Sequence, residues 1–97
     1  MQFDDVVSVL RSWTGGPVVV VLEPEGTVME GVLAETGTQS GDSAMFRLEG
    51  DGLTGVAIAL FADGVTSAEL TGEELVIHQG RMTVRVTTCG GRRSAHD

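Results

Sequence analysis

The chain has no lysine and no tyrosine, a single cysteine and two prolines. Each scarcity excludes something. With only Cys89, no disulfide can form within the chain, so a disulfide framework is ruled out. Without lysine, all six basic residues are arginines, set against 14 acidic ones, and the formal net charge is −8. A surface of that sign repels phosphate, whereas nucleic-acid binding rests on cations that neutralise it; nucleic acid is therefore a disfavoured partner, and anionic lipid likewise. No apolar run approaches the roughly 20 residues of a membrane-spanning helix. The first residues, MQFDDVVSVLRSW, carry acids where a secretory leader needs bases. The expectation is a cytoplasmic protein that binds no membrane.

What is present is a folding sequence. The apolar fraction is 41% over 97 residues, which suits one small domain with one core. Residues 1–88 read as that domain and 89–97, CGGRRSAHD, as a flexible tail without apolar period. Phe3, Val6, Val7, Leu10 and Trp13 recur at helical spacing and predict a helix over 3–14. Asp4 and Asp5 fall in its first turn, where the helix dipole favours negative charge, and Gly15, Gly16 and Pro17 end it.

Everything further along reads as β. Val18–Leu22 is an unbroken apolar run, expected to be a strand covered on both faces. Thr27–Ala34, Met45–Glu49, Val56–Phe61, Val65–Leu70, Leu75–His78 and Arg81–Thr87 follow, separated by turn residues. Asp63-Gly64 is a two-residue hairpin signal that predicts residues 65–70 returning on 56–61, and Gln79-Gly80 predicts a second hairpin. The fold class read from this order is mainly β: an N-terminal α-helix followed by a small barrel or sandwich, mostly antiparallel.

Two stretches carry a family resemblance. Val19, Val21 and Leu22 lead to a turn glycine, Gly26, and a second glycine, Gly31, follows five positions later before Val32 and Leu33. IHQGRMTV at 77–84 is a hairpin of the Ile-Arg-Gly-x-x-Val type, with one residue inserted and Gln79 in the place of Arg. Together these resemble the two motifs of the Sm-like proteins, with the SH3-like barrels as the wider class. The resemblance implies that the helix is followed by a small, strongly bent antiparallel β-barrel, in which the strand glycine permits the bend. It also implies rings built by edge-strand pairing, here between residues 55–70 of one copy and 75–87 of the next. Sm-like proteins that bind RNA hold a flipped base with a loop Asp, a loop Asn and the motif Arg. Here the Asp position falls near Gly37 and the Asn near Ser40 or Gly41. The usual RNA-binding residues are thus absent.

No catalytic constellation, metal-ligand spacing or phosphate loop is visible in the sequence, and no cofactor is implied. His78 has no second ligand beside it, Cys89 has no partner base, and the acids at 42, 49, 51, 73 and 74 read as solvated turn charges. Arg47, Arg81 and Arg85 are expected to pair with glutamates across strands. The candidate ligand or pore residues are Thr38, Gln39 and Ser40 in the 36–43 loop, with Gln79 and Gly80. Phe3 and Trp13 are core residues that become an interface if the helix docks loosely. The functional expectation is a non-enzymatic assembly or interaction module that self-associates through barrel edge strands, with a further protein partner open. The alternative is an RNA-binding Sm-like protein.

Overall fold

The structure, a computed structural model, describes residues 2–36, 43–50 and 56–88. The candidate residues Thr38, Gln39 and Ser40, residues 51–55 and the 89–97 segment that the sequence reads as a tail lie outside these.

The helix α1 runs Phe3–Trp13. Its start is closed by Asp5, whose Oδ2 accepts the Gln2 N–H at 3.1 Å. Val6, Val7 and Leu10 are buried, and Phe3, Val9 and Trp13 pack half-buried around them. Thr14 ends the helix by donating both its N–H and its hydroxyl to the Arg11 carbonyl. Gly15 takes the left-handed conformation at φ +86°. The linker is then stitched to the sheet: Gly15 N–H donates to Leu33 O at 2.7 Å, and Leu33 N–H donates to Gly16 O at 3.1 Å. These bonds fix where the helix leaves the sheet.

Seven strands follow: β1 Pro17–Glu23, β2 Thr27–Glu35, β3 Ser43–Glu49, β4 Ala57–Phe61, β5 Val65–Thr71, β6 Glu74–Gln79 and β7 Met82–Thr88. They form one antiparallel sheet in the order β4-β3-β2-β1-β7-β6-β5. The ladder does not close, since β4 and β5 stand at opposite edges. Mainly β with an N-terminal helix is therefore the architecture.

One face of this sheet meets the helix. Val18 and Val20 of β1, Leu33 of β2, Phe46 and Leu48 of β3, Ile58 and Leu60 of β4, Leu75 and Ile77 of β6, and Val84 and Val86 of β7 form one core with Val6, Val7 and Leu10. Period-two alternation accounts for the choice in each strand. No polar side chain is buried among the described residues.

Two expectations are corrected. The Val18–Leu22 run is not covered on both faces: Val18 and Val20 are buried, while Val19 and Val21 are half-exposed on the outer face. A continuous apolar run reads as doubly buried only when a second layer exists, and here the one helix covers one side. The Asp63-Gly64 turn exists, with Gly64 N–H donating to Phe61 O at 2.9 Å, but it is a corner and not a hairpin. β5 turns away from β4 and pairs with β6 instead, through a tight turn at Gly72 with φ +60°. The bulge between Val65 and Ser67 helps re-aim the chain.

β2 divides its partners. Its first part, Thr27–Val32, pairs with β1, and its last part, Val32–Glu35, pairs with β3. The changeover falls beside Gly31.

Leu10 is fully buried at the middle of the helix–sheet contact. Leu10→Ala is expected to lower stability by about 2–5 kcal/mol, read from urea unfolding.

Candidate interaction surfaces

The outer face of the sheet is made of the alternate side chains. At its centre lies Arg85 on β7, opposite Val21 of β1 and Val76 of β6. Arg85 Nε donates to Glu23 Oε1 at 2.9 Å, and Nη1 lies 3.7 Å from Glu74 Oε1. The hydrogen bond to Glu23 and the charge of Glu23 raise the guanidinium pKa most; desolvation opposes this, and Glu74 and Glu69 add to the rise. One side chain thus ties β1, β7 and β6 from outside. Val76, buried on this outer face, sits beside it. The expected cross-strand pairing of arginines holds for Arg85. Arg47 instead bonds Glu49 on its own strand, at 2.8 Å, and Arg81 stands exposed in the β6–β7 turn. Arg11 of α1 reaches Glu35 of β2 at 2.7 Å.

His78 is half-buried with Nδ1 3.1 Å from Thr83 Oγ1. Among the described residues, no three of His, Cys, Asp and Glu converge as metal ligands would. Exposed apolar side chains on the outer face are Val28, 61% accessible, with Val32, Met45 and Phe61.

Trp13 is half-buried against the core, as is Phe3, so both take the packing role. The indole also borders a cavity of about 360 Å³ between the end of α1 and the β5–β6 turn, with Pro17, Gly72, Glu73 and Thr88. An indole beside a carboxylate suits an organic cation. Two of the neighbouring hydroxyls already donate, Ser12 to Val9 O and Thr14 to Arg11 O.

The sheet edges are more informative. Among the described residues, β4 has β3 as its one sheet neighbour, and β5 has β6. The 75–87 segment that the family resemblance offered as a pairing edge lies inside the sheet: β6 is flanked by β5 and β7, and β7 by β6 and β1. Gln79 and Gly80, the two described candidates for a ligand loop, instead gather at the β4 edge. Gln79 Nε2 donates to Ala59 O at 3.1 Å, and the Phe61 N–H donates to Gln79 Oε1 at 3.0 Å. Gly80 N–H donates to Gly64 O at 3.2 Å. Both ends of the Gln79 amide are therefore spent on backbone. Sequence reading placed Gln79 at a motif position and missed this role. The available signal was a long amide side chain at a strand end, next to a turn glycine.

Comparison with family models, with curated proteins and with solved structures gives no match.

Two substitutions test this geometry. Gly80 stands at φ +61° with open space where a Cβ would go. Gly80→Ala is expected to cost about 1–2 kcal/mol from backbone strain alone, seen as a lower melting temperature. Arg85→Met keeps the aliphatic cover but removes the charge. Its melting temperature is expected to fall below wild type in dilute buffer, with the gap narrowing in about 1 M salt.

Proposed function

We propose that this protein is a non-enzymatic assembly module whose copies join by strand addition at the β5 edge. The observation that carries this reading is the edge itself. Val65–Thr71 is a seven-residue strand with a neighbour on one side only among the described residues. An unpaired strand edge presents backbone donors and acceptors that an extended chain satisfies in register. Thr66, Ser67, Glu69, Leu70 and Thr71 are exposed along it, so a partner strand meets no buried obstacle.

The finer fold reading, a bent Sm-like or SH3-like barrel, belongs with this proposal. Three features support it. A helix precedes the sheet, the last strand β7 lies against the first, and β2 splits its pairing between β1 and β3 at Val32. The pairing surface differs from the one the resemblance implies, since both free edges fall within residues 57–71. The RNA-binding alternative has less support. The net charge is −8, and the amide of Gln79, which stands where such proteins carry Arg, is already bonded to β4.

The test is the solution mass by light scattering behind a sizing column, at tens of micromolar protein. A mass above that of one chain is expected, rising with salt because like-charged copies repel less when screened. Leu70 is 44% accessible and lies on the edge. Leu70→Lys is expected to return the protein to monomer with an unchanged circular-dichroism spectrum, since a lysine on an edge strand opposes pairing. A wild-type monomer under these conditions refutes the reading.

A further inference from the structure

A sheet with two open edges has a problem that a sheet with one does not. If β4 of one copy accepts β5 of the next, every added copy exposes a fresh edge, and growth ends only if the rotation closes a ring. If β5 alone is open, it can pair antiparallel with β5 of a second copy about a two-fold axis. Both edges are then used and assembly stops.

The two edges of this protein are not equally open. β4 is short, and it turns the Ala59 carbonyl and the Phe61 N–H toward its free side. Both are occupied by one side chain, the Gln79 amide, at 3.1 and 3.0 Å. The Phe61 carbonyl is taken as well, by the Gly64 N–H. A second feature accommodates this arrangement. A Cβ built on Gly64 would lie 3.4 Å from both Cγ and Oε1 of Gln79, so the missing side chain leaves the amide its room. Gly80, bonded to the Gly64 carbonyl, holds the hairpin that carries Gln79 against the same corner. Beside the occupied groups stand Met45 and Phe61, the latter 50% accessible. Uncovered, this end of β4 would combine unpaired backbone with apolar side chains, the combination that invites edge-to-edge association.

We propose that the Gln79 amide is an edge plug: it closes β4 to strand addition, confines self-association to β5 and so limits the assembly to a two-fold dimer. This rests on the β5 reading for the identity of the open edge, and the experiment separates the two. Wild type, Gln79→Ala and the double variant Gln79→Ala with Leu70→Lys are compared by light scattering and sedimentation velocity at matched concentrations. The expected wild-type mass is that of two chains. Gln79→Ala is expected to give a broad distribution beyond two chains that grows with concentration, and the double variant to lose everything larger than two. Gln79→Ala with the wild-type mass and the wild-type spectrum overturns the plug. A monomeric wild type refutes the β5 reading and leaves the plug to be judged by whether Gln79→Ala gains association. Should Gln79→Ala fail to fold, hydrogen exchange on the wild type decides. The Phe61 amide, bonded to Gln79, is expected to exchange at least about tenfold more slowly than the Ala59 amide on the same free edge. Equal rates overturn the proposal.

Discussion

A strand inside a sheet satisfies its backbone on both sides, and a strand at an edge satisfies it on one. That constraint shapes this molecule wherever the sheet begins or ends. The chain places its most apolar strand, β1, at the centre, between β2 and β7. From there the sheet runs outward to β4 in one direction and to β5 in the other. These two edge strands are consecutive in the chain and joined by a turn of three residues. The sheet must therefore curl to bring its ends to one corner, and the bonds among Phe61, Gly64, Gln79 and Gly80 are what hold that corner. The helix fits within the curl because a curled sheet offers a concave face, and Val6, Val7 and Leu10 fill it. The two ends of the sheet meet at that corner through a side chain, without a closing ladder.

Much of this was legible in the residues. The spacing of Phe3, Val6, Val7, Leu10 and Trp13 identifies the helix within a residue of its observed end, because an amphipathic stripe ended by two glycines and a proline admits one reading. The alternation in Met45–Glu49, Val56–Phe61 and Met82–Val86 sorts their side chains into the two faces that the burial pattern shows. What sequence reading does not supply is who pairs with whom. Asp63-Gly64 has the composition of a hairpin turn, yet Gly72 offers β5 a competing turn, and pairing is decided by the whole sheet and not by either dipeptide. The double burial expected of Val18–Leu22 fails for the same kind of reason, since apolar character in a strand does not state how many layers the fold has. Of the candidate site residues, Gln79 and Gly80 lie at the β4 corner. Their role there, as backbone partners of β4, depends on a contact across 20 residues of chain between Ala59 and Gln79 that no local pattern encodes.

The absence of lysine bears on the same question. Edge strands in many proteins are blunted by lysine, whose charge and long stem make pairing with a second strand unfavourable. This chain has none, and the arginines on its helix and sheet, Arg11, Arg47 and Arg85, lie against glutamates. Neither edge strand carries a cation of its own. At β4 the protection is a neutral amide that satisfies the backbone directly. At β5 the one charged side chain is Glu69, and nothing comparable to Gln79 bonds that strand's free side among the described residues. A protein that covers one edge with a fitted side chain and leaves the longer one open treats the two differently. That asymmetry, more than the likeness to any barrel family, is why we place the interaction surface on β5.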